Sequence, residues 1–139
     1  MTEIHEYCFK VPPEAIDGNG HVNNVEYVRW MAEVARSHAI ACGGDERVRA
    51  LGAIWVVRSH RIEYLRPLVL HDSVVAQTWV ESFQRVVSLR RYRFLCGGSV
   101  VARGETKWVL VDAVDGRPRT IPRELADLFG VCPGGPGAD

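Results

Sequence analysis

The chain has 139 residues, 47% of them hydrophobic, which allows one compact domain with a real core and excludes intrinsic disorder. Its 17 Lys and Arg residues balance 17 Asp and Glu residues, and this zero net charge argues against nucleic acid as the main partner. Four cysteines without a CxxC pair, a start without a secretory apolar region and the absence of a long apolar run predict a reduced, cytoplasmic protein that does not bind membranes.

The first elements in chain order are a short strand and a long helix. The strand runs from about Glu3 to Val11 and ends at two prolines, which cannot donate ladder hydrogen bonds. The helix runs from about Asn24 to Cys42. Asn23 is a favoured N-cap, Glu26 completes a capping-box pattern, and the glycines at positions 43 and 44 provide the stop.

This helix has a narrow polar face and a wide apolar one. The polar face covers about a third of the circumference, and it consists of Glu26, Arg29, Glu33, Arg36 and Ser37. The remaining arc carries Val, Tyr, Trp, Met and Ala side chains. So wide an apolar surface predicts a central helix that is covered on most sides.

Four strands are predicted after the helix. Their bounds are about Ile54 to Leu65, Ser73 to Phe83, Ser88 to Cys96 and Val100 to Val111, and Gly97-Gly98 predicts a hairpin between the last two. The economical arrangement is α+β, with one antiparallel sheet packed around one helix. Residues 1–130 are predicted to form this single domain. Residues 131–139 are predicted to be a flexible tail, because they offer little apolar surface to bury.

The informative segment is the loop that runs into the helix. Asp17, Asn19 and His21 stand at alternate positions in a glycine-rich stretch. A carboxylate can activate water or attack a carbonyl, and the unpaired amides of a helix's first turn can stabilise an oxyanion. On composition alone an ordinary turn and helix cap explains the same residues better. A calcium loop does not fit, because Val22 and Val28 occupy the positions of its glycine and its bidentate glutamate.

A family resemblance favours the catalytic interpretation. Asp17-Gly-Asn-Gly-His-Val-Asn-Asn24, with Tyr27, resembles the signature of hotdog-fold thioesterases of the 4-hydroxybenzoyl-CoA thioesterase group. It is especially similar to the D-x-N-x-H-V-N-N segment of plant acyl-ACP thioesterases. A second stretch, Ile62 to Pro67 followed by Asp72-Ser73, resembles the strand and turn after the helix in that superfamily.

The resemblance implies a single hotdog domain, in which a five-stranded antiparallel sheet wraps the long helix. It implies hydrolysis of an acyl-CoA or acyl-ACP thioester, with Asp17 as general base or nucleophile. Asn19 and His21 match the polar pair that holds the carboxylate, the water or the thioester. The backbone amide of Asn24 matches the group that polarises the thioester carbonyl, and Tyr27 belongs to the same substrate-binding segment.

Glu63 has two interpretations of equal weight. It matches an acidic residue that the plant enzymes place near the site, and it equally fits an exposed strand residue paired with Arg61 or Arg66. The arginines of the predicted strand from Ser88 to Cys96 and of the turn before it have two interpretations as well. They could contact the phosphates of CoA or form a solvated strand face; these arginines are Arg85, Arg90, Arg91 and Arg93.

The expected partners follow from the same resemblance. Plant enzymes carry two hotdog repeats in one chain and this chain carries one, so a homodimer or homotetramer is expected. No metal or cofactor is implied. Two alternatives stay open, a non-catalytic acyl-thioester binding protein and a hotdog dehydratase. The bacterial aromatic-acyl enzymes usually lack the Asn and His, which leaves the subgroup open.

Overall fold

The computed structural model describes residues 4–131. Its elements in chain order are β1 (His5–Lys10), a 3-10 turn (Pro13–Ala15), α1 (Asn24–Ala41), α2 (Gly44–Ala50), β2 (Ala53–Tyr64), β3 (Ser73–Gln84), β4 (Val87–Cys96), β5 (Ser99–Asp112) and α3 (Arg123–Phe129). The predicted residues 132–139 of the tail lie outside the described residues, and the predicted boundary at residue 130 stays a prediction. No helix of the described part is both long enough and apolar enough to cross a membrane.

The five strands form one antiparallel sheet in the order β1-β3-β4-β5-β2. The predicted hairpin is present, because β4 and β5 are joined at Cys96 and Ser99 by two glycines with positive φ. β1 and β2 are the two edges of the sheet. The predicted α+β arrangement of one sheet around one long helix is therefore confirmed.

The sheet holds α1 closely because β5 has a glycine beneath it. Met31 is fully buried at the centre of the helix face that meets the sheet. A Cβ atom at Gly104 would lie 2.9 Å from the Met31 sulfur, closer than real Cβ contacts come. The missing side chain at this strand position thus sets how near the helix can approach.

The start of α1 is only partly as predicted. Asn23 is the N-cap, since its side-chain oxygen accepts a hydrogen bond of 3.1 Å from the Val25 amide. The capping box does not form. The Asn23 amide donates instead to the Ala15 carbonyl at 2.8 Å, and Glu26 pairs with Arg29 at 3.4 Å.

The two short helices α2 and α3 are missing from the sequence prediction. Gly43 has the left-handed conformation expected after a helix, but Gly44 begins α2 and is not part of a stop. Phe129 of α3 packs directly on Gly44, where a Cβ would lie 2.5 Å from its ring. Together the two helices cover a second apolar cluster around Val48, Leu110 and Leu125.

One side of α1 is open in the single chain. The apolar face turned away from β1 includes Val25, which is 62% exposed, and Val28 and Ala32, which are also exposed. The sequence predicts that α1 is covered on most sides, but in the single chain only the side that faces the sheet is covered. The open side runs toward the edge strand β2, and this opening leads to the site.

Candidate active site

The loop before α1 is a tight, fixed structure. Ile16 and Val22 form an antiparallel bridge at its base, and the Asp17 amide donates to the His21 carbonyl at 2.8 Å. Gly20 takes a positive φ of 78°, which its lack of a side chain permits. The Val22 amide anchors the loop to the Leu68 carbonyl at 2.9 Å, so the loop is tied to the core.

The Asp17 carboxylate closes this loop with one of its two oxygens. Its Oδ1 accepts hydrogen bonds from the amides of Asn19 at 2.9 Å and His21 at 3.3 Å. Within residues 4–131 its Oδ2 accepts none. Asp17 is half-buried, whereas the side chains of Asn19 and His21 are exposed around it. One carboxylate oxygen thus serves the turn and the other is available for chemistry.

The amide of Asn24 begins helix α1 immediately after this loop. Asn23 caps the next amide along, that of Val25, and the Asn24 N–H has no acceptor in the described part of the chain. An unpaired amide at the N-terminus of an 18-residue helix lies at the positive end of the helix dipole. Such a donor suits a developing negative charge.

Tyr64 at the end of β2 lies against the start of α1. Its hydroxyl donates to the Asn24 carbonyl at 3.4 Å, and its ring is 46% exposed. Tyr64 stands in the second motif, Ile62 to Pro67, which is the one sequence signal for it. The motif indicates no role for the tyrosine, because it does not show which face of the strand the ring occupies.

Tyr27 is the buried support of Tyr64. It is 2% exposed and meets the Tyr64 ring edge-on, with ring centroids 5.1 Å apart. Burial, with smaller contributions from Tyr64 and Asp72, raises the pKa of Tyr27 to about 12, so its phenol is neutral at physiological pH. Direct contact of Tyr27 with a substrate stays a prediction.

Glu63 lies on the other face of the sheet. Tyr64 points toward α1, and alternation along β2 turns Glu63 outward, where it stands opposite Arg103 on β5. Neither predicted ion pair, with Arg61 or with Arg66, is formed within residues 4–131. The structure therefore gathers Asp17, Asn19, His21, Asn24 and Tyr27 at one end of α1, without Glu63.

A cavity of about 380 Å³ opens further along α1. Asn24, Val28 and Ala32 are spaced four residues apart, so one helix face leads from the α1 N-terminus to this cavity. Its walls are mainly apolar and come from five elements. They include Ala32, Ala35 and Ala39 of α1, Val48 of α2, Trp55 of β2, Trp108 of β5 and Phe129 of α3.

Arg90 also lines this cavity and is 4% exposed. That burial contradicts both sequence interpretations for this arginine, since a buried guanidinium is neither solvated nor able to meet a phosphate at the surface. For metals, no group of three or more His, Cys, Asp or Glu side chains in the described residues is placed to hold an ion.

Comparison with known proteins agrees with this architecture. Residues 2–129 match the family model described as the acyl-ACP thioesterase N-terminal domain. No curated protein sequence matches the chain.

Three solved structures illustrate the likeness of fold. A Lactobacillus plantarum protein provisionally described as an oleoyl thioesterase has 17% identity and a TM-score of 0.87, covering 99% of this chain and 56% of its own. YbaW of Escherichia coli, described as a probable thioesterase, has 21% identity and a TM-score of 0.85, covering 90% and 98%. A Staphylococcus aureus protein solved in complex with CoA has 14% identity and a TM-score of 0.83, covering 99% and 92%.

These likenesses confirm the hotdog fold. Because the sequence identities are only 14–21%, these likenesses show the fold and not the function. The chain spans about half the length of the Lactobacillus protein.

Proposed function

Because the chain belongs to the acyl-ACP thioesterase N-terminal domain family, a family of thioesterases, we propose that it hydrolyses an acyl-CoA or acyl-ACP thioester. The products are a free acid and a thiol. The observation that carries the proposal is the Asp17 carboxylate, which is held beside the N-terminus of α1 with one oxygen unpaired in the described chain.

In the reaction, the thioester carbonyl oxygen accepts a hydrogen bond from the Asn24 amide. As general base, Asp17 Oδ2 takes a proton from water while the water oxygen bonds to the carbonyl carbon. The tetrahedral oxyanion is stabilised by the amide and the helix dipole. Its collapse breaks the C–S bond, and the leaving thiolate takes the proton from Asp17.

As nucleophile, Asp17 Oδ2 bonds directly to the carbonyl carbon and expels the thiolate. Water then hydrolyses the mixed anhydride that results, releases the acid and restores the carboxylate. Both routes use the same oxygen of Asp17 and the same oxyanion donor. They differ in whether the acyl group is ever bonded to the protein.

The remaining polar residues of the loop orient the reactants. Asn19 and His21 are exposed around Asp17, where their side chains can hold the water or the thioester. Tyr64 covers the start of α1 and Tyr27 supports it, so this pair shapes the approach to the Asn24 amide. Glu63 points away from Asp17, on the other face of the sheet. It can take part in catalysis only together with groups that lie on that other face or in another chain.

The functional unit that we propose is a homodimer joined along β2. This edge strand has exposed apolar residues on both faces, with Ile54 47%, Val56 39% and Val57 44% exposed. The open side of α1 lies next to it. A homotetramer would need a further surface.

The test is thiol release by the purified protein from short, long and aromatic acyl-CoAs and from acyl-ACPs. Asp17→Asn keeps an oxygen that can accept the loop's hydrogen bonds but cannot take a proton from water. We expect it to lower kcat at least about 100-fold.

A matched control is Asp115→Asn. Asp115 also accepts a backbone hydrogen bond within a turn, from the Arg117 amide at 2.9 Å, but it lies in the loop after β5. Its variant should keep full activity. Turnover of a good substrate by folded Asp17→Asn at the normal rate would refute the assigned mechanism. Binding of acyl-thioesters without turnover by the unmodified protein would instead indicate a non-catalytic binding protein.

A further inference from the structure

Arg90 is an unusual lining residue for the cavity beside α1, because the walls of this cavity are mainly apolar. Arg90 is on β4, and its side chain passes under the C-terminal half of α1 to reach the cavity. Only 4% of the residue is exposed. Its carbon Cζ lies 5.5 Å above the centre of the Phe129 ring, which forms part of the same wall.

The hydrogen bonds of Arg90 occupy one edge of the guanidinium. Nη1 donates to His38 Nδ1 at 2.9 Å and to Thr78 Oγ1 at 3.0 Å. The other edge, formed by Nε and Nη2, has no acceptor within residues 4–131, and no carboxylate there forms an ion pair with Arg90. A buried cation is costly without a partner anion, so the free edge requires explanation.

Among the described residues, the hydrogen-bond partners of Arg90 carry no negative charge, since they are a histidine and a threonine. Because a guanidinium can only donate, His38 Nδ1 must be the acceptor, and this places the ring proton on Nε2. Burial first, then Arg90 and His5, lowers the pKa of His38 to about 3, so the ring stays neutral. His5 stacks on His38 with ring centroids 5.3 Å apart. The carboxylate on the cavity wall, that of Asp45, pairs with Arg49 at 3.1 Å.

From this arrangement we infer that the acyl group of the substrate carries a carboxylate at its far end, which the Nε–Nη2 edge of Arg90 binds with two parallel hydrogen bonds. Guanidinium and carboxylate match in this side-on geometry, and the bonds are strengthened by charge. The inference rests on the proposed thioesterase function and names its substrate class, the CoA or ACP thioesters of dicarboxylic acids.

The dimensions of the site favour a long acyl chain. The reacting carbonyl lies at the Asn24 amide, whereas Arg90 meets α1 at His38, about 21 Å further along the helix axis. Between them the helix presents valine and alanine side chains, which suit the methylene groups of an extended chain. An acyl chain with an apolar end would fill the same cavity but leave the guanidinium unpaired.

The experiment compares matched thioesters on the wild-type protein and on two variants. The substrates are hexadecanedioyl-CoA and palmitoyl-CoA, with dodecanedioyl-CoA and lauroyl-CoA as the shorter pair. Arg90→Met removes the cation and keeps an apolar side chain. Lys107→Met is the control, because Lys107 is an exposed cation on the outer face of β5 and its loss changes the net charge equally.

We expect the wild-type kcat/KM to favour a dicarboxylic thioester over its monocarboxylic match at least about tenfold. Arg90→Met should abolish or reverse that preference, and Lys107→Met should preserve it. Equal or better hydrolysis of the monocarboxylic thioesters, unchanged in Arg90→Met, would overturn the inference and leave the thioesterase function intact.

A binding measurement separates the two proposals when no thioester is hydrolysed. The free acids hexadecanedioate and palmitate are added to each protein, and the shift in Tm is measured against the same variant without ligand. Stabilisation of the wild type by hexadecanedioate, lost in Arg90→Met, would support the carboxylate site even without turnover. No difference between the two acids would overturn it.

Discussion

At the scale of single residues, Asp17, the proposed base or nucleophile, also has a structural role. Its Oδ1 holds the loop through the amides of Asn19 and His21, and this fixes the direction of Oδ2. The geometry of the carboxylate therefore depends on the backbone and not on neighbouring side chains. The same loop directs the chain into α1, so the proposed base and the proposed oxyanion donor are positioned by one short segment.

His38 should make stability depend on pH. Its folded-state pKa of about 3 lies below the ordinary value of 6.5. As the pH falls below 6.5, His38 binds a proton in the unfolded chain but stays neutral in the folded chain. The free energy of unfolding therefore decreases as the pH is lowered. Unfolding free energies from urea titrations should fall by up to about 1.4 kcal/mol per pH unit from this group.

Two variants isolate this contribution. His38→Gln keeps an oxygen that can accept from Arg90 but does not titrate, so it should make the profile between pH 7 and pH 5 less steep. Part of the slope should remain, because burial also lowers the pKa of His60. His71→Asn, on the surface, should leave the slope as it is in the wild type. A His38→Gln profile as steep as that of the wild type would contradict the assigned neutral state of His38.

The sequence predicted some of these residues and not others. The loop residues stand in a local motif, so their clustering at the start of α1 could be predicted from spacing. The burial of Arg90 was missed, because an arginine is normally expected at the surface. Alternation along β4 nevertheless places Arg90 on the buried face with Tyr92 and Phe94 and turns Arg91 and Arg93 outward. Tyr64 was missed because its motif indicates no role for it.

At the scale of elements, the long units were predictable and the short ones were not. The long helix and the strands after it end within two residues of their predicted bounds. Most of them carry many residues of one period, whereas β2 alternates poorly. α2 and α3 have seven residues each, too few for a clear helical period. The three register shifts, at Val57/Ser59, Val80/Ser82 and Phe94/Leu95, leave no local sequence signal either.

Gly44→Ala tests the packing of these two short helices. Alanine normally stabilises a helix relative to glycine by about 1 kcal/mol. Here the new Cβ would lie 2.5 Å from the ring of Phe129, which is 2% exposed and cannot move aside. We expect a net loss of about 1–3 kcal/mol in the free energy of unfolding.

The double variant Gly44→Ala with Phe129→Leu provides the check on this explanation. Because the smaller side chain makes room for the methyl group, the two changes should cost less together than the sum of their separate effects. Additive costs would show that the contact between α2 and α3 is not the cause. Gly18→Ala, at a position with open space around it, should be nearly neutral.

At the scale of the whole molecule, the first part of the edge strand β2 exposes apolar residues on both of its faces. β1, the other edge, is short, whereas β2 has 12 residues and lies beside the open face of α1. A second copy placed along β2 would cover Ile54, Val56 and Val57 at once and would lie beside the cavity that Ile54 and Trp55 help to line.

Val56→Lys should separate the proposed dimer. The lysine would place a charge in the middle of the buried edge, which costs several kcal/mol without a partner. Sedimentation velocity should give the wild type about twice the chain mass of 15.5 kDa and the variant a single chain. Val114→Lys, at a residue 96% exposed in the turn after β5, should stay dimeric. A monomeric wild type at all concentrations would refute the dimer.

The open edge also matters for newly made and diluted chains. The part of β2 from Ala53 to Val57 carries no charge, whereas Arg58, Arg61 and Glu63 protect the rest of the strand. Uncharged segments of β-branched and aromatic residues on a free edge pair readily with wrong partners and start aggregation. In the proposed dimer this five-residue stretch is paired, whereas a newly made chain exposes it until a second copy binds, so aggregation should rise with the concentration of unpaired chains.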